Sequence, residues 1–170
     1  MFDKEYQLYG KHAEMMFALA SDSSGNQRAP ESFFGRFLDV FLVAPLVGFL
    51  YQRKSPVDSS STASPRSIFA EQIISERDRL MLNYRLITLL DEKKTVDINT
   101  RIGKAFREAD QELVAQNLET YYAYVRGGIE LLYEKLIGTT KNEEERIGNM
   151  MDFIDEFSEL FKLMDQSANE

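Results

Sequence analysis

Apolar residues recur at three- and four-residue steps along almost the whole chain, the pattern of helices that each bury one face. Strand-like alternation is not sustained anywhere. Tyr6, Tyr9, Ala13, Met16, Phe17 and Ala20 form one stripe, which predicts a first helix over residues 3–20, stopped by the Ser/Asp/Gly/Asn run at 21–26. Pro30 suits the first turn of a second helix, carried to residue 54. A serine- and proline-rich stretch at 55–66 reads as an exposed connector. Beyond it the spacing predicts helices over 64–93 and 99–109. A longer one over 111–137 carries Val114, Leu118, Tyr121, Val125, Ile129, Leu132 and Leu136, with Gly138 as its stop. Thr140 and Glu143 match a capping box for a last helix over 140–164, leaving 165–170 as a frayed tail. The expectation is an all-α single domain over 1–170, a compact bundle of about five to six helices.

The most apolar segment lies inside the second helix, where residues 40–51 carry no charge. Twelve residues are too few to span a membrane, which takes about 20. A central core helix is expected, with Pro45 removing one of its hydrogen bonds. Asp39, one turn after Arg36, is the candidate buried polar site of this helix, where it would have to meet a cation or amide donors; the alternative places it on the solvent edge of the helix. The two adjacent glycines, Gly127 and Gly128, cost about 1 kcal/mol each relative to alanine in a helix interior. Close approach by another backbone, inside the fold or from a partner, would offset that cost.

Charge changes the picture mainly at the end of the chain. The formal net charge is −8, yet the last 30 residues alone hold nine acidic and three basic groups. On the last helix Ile147, Met150, Ile154, Phe157, Phe161 and Met164 alternate at steps of three and four, a heptad seam beside Asp152, Asp155, Glu156 and Glu159. That seam closes the chain's own bundle or docks on a partner, and methionine and phenylalanine make it adaptable.

Candidate chemistry is sparse. Cysteine is absent and His12 is the only histidine, so the usual nitrogen and sulfur metal sites lack ligands and no metal or cofactor is expected. His12 reads as a surface residue. No Gly-x-Ser-x-Gly elbow or Walker loop occurs. Arg53, Lys54, Arg101, Lys104, Arg107 and Arg126, with Tyr121, Tyr122 and Tyr124, compose a basic and aromatic set able to hold phosphates and stack bases. The leading reading is therefore a non-catalytic helical interaction module, an accessory or regulatory subunit binding a protein partner or a second copy of itself. A nucleic-acid-binding subunit and a carboxylate-based enzyme are the alternatives. The start of the chain lacks a basic stretch followed by an apolar run, so cytoplasm is the expected location.

Overall fold

In a computed structural model the described residues are 1–20, 32–60, 65–91, 96–107, 110–138, 140 and 142–168. Among the described residues the protein is all-α apart from one two-stranded ribbon, and most of these residues are helical. At its centre α2 (Phe37–Leu50) crosses α6 (Gln111–Leu136). Apart from Asp39 α2 is apolar, as befits a helix largely enclosed by protein: Phe41, Ala44 and Val47 are fully buried, and so are Tyr124, Val125 and Ile129 on α6. α1 (Gly10–Leu19) and α4 (Arg77–Leu90) flank this pair. α7 (Glu143–Ala168) lies along α6.

The glycine pair explains how close the crossing is. A Cβ on Gly128 would sit 1.8 Å from the Ala44 carbonyl oxygen, and one on Gly48 would sit 2.3 Å from that of Tyr124. Only hydrogen fits between the two backbones at these points. Gly127 does a different job, since its Cβ would lie 2.0 Å from the carbonyl oxygen of Arg53. It lets the chain leaving α2 run directly over α6.

That exit is a Schellman motif: the Arg53 amide donates to the Gly48 carbonyl and the Gln52 amide to that of Phe49, with Gln52 at φ 53°. The second helix thus ends before residue 54. It also begins later than expected, at Phe37, because Arg36 is extended.

The expected helix over 3–20 is shorter too. β1 (Tyr6–Leu8) pairs antiparallel with β2 (Arg66–Ile68), Tyr6 opposite Ile68, and α1 starts only at Gly10, whose φ of +57° turns the chain out of the strand. The connector supplies this helix with a cap. The Lys11 amide donates to Asp58 Oδ2 at 2.9 Å, and a Cβ on Gly10 would strike that carboxylate.

Pro56, Val57, Ser59 and Ser60 are exposed, as expected of a connector, but the segment is tied down at Ser55 and Asp58. Ser55 is buried, its amide donates to the Ala123 carbonyl, and its own carbonyl accepts from Arg126. Residues 61–64 lie outside the described part. Asp58→Ala is expected to speed exchange of the Lys11 amide and cleavage within 55–60 in limited proteolysis; unchanged protection would show that the cap does not hold this segment.

After β2, the single helix expected over 64–93 divides at Glu76 into α3 (Ala70–Ser75) and α4. α5 (Ile98–Ile102), capped by the Asp97 carboxylate, continues as a π-turn over Gly103–Arg107. α6 is capped by Asp110 and stopped at Gly138, φ 46°. The capping box of α7 falls two residues later than expected. Asn142 Oδ1 accepts from the Glu145 backbone amide at 2.9 Å, the N-cap half of the box, while the Asn142 side-chain Nδ2, in place of its backbone amide, donates to the Glu145 carboxylate at 3.2 Å. The helix runs on to Ala168, through most of the expected tail.

A buried charge cluster and a candidate interaction surface

Glu130 sits in the apolar run of α6 and only 5% of it is exposed. Four groups converge on its carboxylate: Ser55 Oγ at 2.6 Å, Lys11 Nζ at 2.8 Å, His12 Nε2 at 2.9 Å and Arg53 Nη2 at 2.9 Å. Arg53 also forks onto Glu134 through two bonds of 2.6 and 2.7 Å. Burial pushes the Glu130 carboxyl up, but the bonds from Lys11, Ser55 and His12 and the charge of Lys11 outweigh it and draw the carboxyl down to about 2. Burial likewise lowers His12, against the opposing pull of Glu130.

His12 is thus 1% exposed and not a surface residue. Nothing in the local sequence reports its partners, which lie 43 and 118 positions away. The neighbourhood of a serine, a histidine and a glutamate invites a catalytic reading, and the wiring speaks against it. A relay sets the imidazole between hydroxyl and acid, one ring nitrogen to each. Here Nε2 faces both, Ser55 donates straight to Glu130, and Nδ1 has no hydrogen-bonding partner among the described residues. The cluster joins α1, the chain after α2 and α6, and has the geometry of a structural tie.

Asp39, the sequence candidate for a buried acid, is instead part-exposed at the start of α2. Its side chain is 31% accessible and pairs with Arg36 at 2.6 Å. An acid one turn into a helix stays near solvent and near the N-terminal amides it favours, so no buried site forms there.

The six cations of the basic set are mostly held by protein acceptors. Arg53 is bound to Glu130 and Glu134, Lys54 to Asp91, and Arg101 to the Leu89 and Val96 carbonyls. Arg126 is buried between the Ser55 carbonyl and Glu119. Lys104 and Arg107 lie on the π-turn. The tyrosines are core: Tyr121 and Tyr124 are 1% exposed, and Tyr122 stacks on Tyr6 at 4.4 Å.

α7 divides the expected seam between two faces. Phe157 packs on the core beside Phe153, ring centroids 5.8 Å apart, and Lys135 of α6 bonds Glu156 at 2.6 Å. Ile147, Met150 and Ile154, joined by Met151, lie on an uncovered stripe, with Ile147 50% and Ile154 52% exposed. The side chains of Phe161 and Met164 lie outside the described part. A second apolar surface, which sequence reasoning missed, runs along the outer side of α4 to the π-turn. It is lined by Met81, Leu82, Leu86, Leu89 and Phe106, with Leu82 65% and Phe106 55% exposed. Its signal in the sequence was α4 carrying apolar residues on two sides, Leu80 and Ile87 inward and Leu82 and Leu86 outward.

Fold and surface together describe a small helical protein with an internal charge tie and two uncovered apolar faces. Residues 10–163 match the family model described as DNA sulphur modification system-associated protein 4, and the chain belongs to that family. No curated protein and no solved structure is similar enough to match. No helix among the described residues is long and apolar enough to cross a membrane.

Proposed function

We propose that the chain is a non-catalytic accessory subunit of a DNA sulphur modification system that works by binding protein through the exposed stripe of α7. The observation that carries this reading is the stripe itself: Ile147, Met150, Met151 and Ile154 stand on one side of an acidic helix whose other side is already anchored by Phe153 and Phe157. A helix that needed only to close the bundle would gain nothing from a second apolar face, whereas an amphipathic partner surface requires one. The family's association with such a system supplies the setting. The cross-wired His12, Ser55 and Glu130 cluster supports the non-catalytic part. Direct DNA binding has weaker support, because Arg53, Lys54, Arg101 and Arg126 are committed to acceptors within the protein.

The test is co-expression with the other proteins of the same DNA sulphur modification system, followed by co-purification of the wild type and of a variant carrying Ile147→Glu and Ile154→Glu. Half-exposed side chains contribute little to folding, so the variant is expected to melt within about 0.5 kcal/mol of wild type while losing the co-purified protein. Phe157→Ala is the counterpart. It is expected to lower stability by about 1–3 kcal/mol, below the cost of emptying a fully enclosed site, because the ring is only partly buried. Retention of every partner by the double variant would overturn the proposal.

A further inference from the structure

The two uncovered faces are complementary in charge and matched in apolar length. The groove on α4 is lined by Arg77, Asp78 and Arg85 beside its leucines. The Arg85 guanidinium lies 5.2 Å from the Phe106 ring centroid, and its buried Nε donor meets no acceptor among the described residues. Among the described residues neither Arg77 nor Arg85 forms an ion pair. The stripe on α7 is bordered by Glu144 and Asp155, with Asp152 beyond them, all exposed; Glu144 and Asp152 form no ion pair among the described residues. The apolar lengths agree: Ile147 to Ile154 and Leu82 to Leu89 each span seven helical steps, roughly 10 Å. One face offers unpaired arginines around leucine and phenylalanine. The other offers unpaired carboxylates around isoleucine and methionine.

We infer that the α7 stripe of one molecule docks in the α4 groove of a second copy of this chain. The contact pairs two different surfaces, so a two-fold pair makes it twice, closing the free protein as a dimer with both stripes and both grooves covered, which opens when a system protein takes the second copy's place on the stripe. Arg85 Nε then gains the carboxylate acceptor it lacks, in a site where the guanidinium already lies over an aromatic ring. This inference rests on the reading of α7 as a binding surface and names its partner.

The experiment is sedimentation of the purified full chain, mass 19.6 kDa, at concentrations up to about 100 μM, where contacts of ordinary strength are populated. Wild type is expected at twice the chain mass. Reversing the groove, Arg77→Glu with Arg85→Glu, is expected to weaken the dimer about 100-fold, and reversing the stripe edge, Glu144→Lys with Asp155→Lys, should do the same, since like charges across a contact cost several kcal/mol. Mixing the two variants restores opposite charges at both contacts and is expected to restore a mixed dimer. Melting curves check folding; should loss of Arg85 from Phe106 unfold the groove variant, Arg77→Glu with Leu82→Glu takes its place. A wild-type monomer at the highest concentration, a dimer indifferent to both reversals, or failure of the mixture to re-form would each overturn the inference. A monomer whose α7 stripe still retains the other system proteins sinks only the second-copy assignment. A dimer that retains none of them sinks the accessory-subunit reading instead.

Discussion

Gly128→Ala is expected to destabilise the protein by about 3 kcal/mol, lowering the melting temperature by about 6–12 °C for a chain of this size. Helix propensity alone predicts the opposite sign, because alanine is favoured over glycine in a helix interior by about 1 kcal/mol. The packing decides. The new methyl would lie 1.8 Å from the Ala44 carbonyl oxygen and 2.9 Å from the Ala44 Cα, both backbone, so no side chain can swing aside and α2 must move off α6. α2 carries much of the core, and a shift there disturbs Phe41, Ala44 and Val47 together. Gly148 is the control. It lies in α7 with nothing within 4 Å of its Cβ position, so Gly148→Ala should stabilise by about 0.5–1 kcal/mol. Thermal melts of the two variants that shift in the same direction would show that the α2–α6 crossing is not as tight as described.

This glycine pair marks what the sequence could reveal and what it could not. An adjacent pair of costly residues within an apolar repeat announces a close approach, and α6 with its stop at Gly138 follows from the same periodicity. The identity of the approaching backbone is a tertiary fact. β1 and β2 were illegible for another reason: three residues are too few to establish alternation, and Tyr6, Tyr9 and Ala13 fit a helical stripe equally well. What breaks that stripe is Gly10 with its positive φ, held by an acid from a segment that composition marks as a loose linker.

On α7 the period was legible but the phase was not. A repeat of three and four fits a stripe through Ile147, Met150 and Ile154 or one through Phe153 and Phe157. The choice falls to the surface α6 presents, where Lys135 fixes Glu156 and the phenylalanines turn inward. Asp39 and Glu130 show the same limit. Both are acids in apolar helices, and only the fold places Lys11, His12, Arg53 and Ser55 around one of them.

Removing Glu130 is the second large effect expected. Truncation to alanine leaves His12 Nε2 and the Ser55 hydroxyl without their acceptor and strips Arg53 of one of its two carboxylates. Breaking one side of a buried ion pair costs about 3–5 kcal/mol. Lys11 and Arg53 reach solvent, with side chains 50% and 35% accessible, which places the effect near the lower end. Acid should expose the same cluster without mutation. The folded-state carboxyl titrates at about 2 against an ordinary value of 4.5. Its contribution is therefore complete above pH 4.5 and is lost as pH falls toward 2, amounting to about 3 kcal/mol by linkage. His12, lowered from 6.5 by burial, adds a loss that begins below pH 6.5, because the unfolded chain takes up that proton first. Urea melts between pH 7 and 3 should therefore show stability falling in two stages. Glu130→Gln keeps the shape but cannot titrate, so it should start less stable at pH 7 and fall less steeply below pH 4.5, where Asp58, Asp97 and Glu156, also held below their ordinary range by hydrogen bonds, still take up protons. Parallel curves for wild type and Glu130→Gln throughout that range would mean that the carboxylate is not held by these four donors.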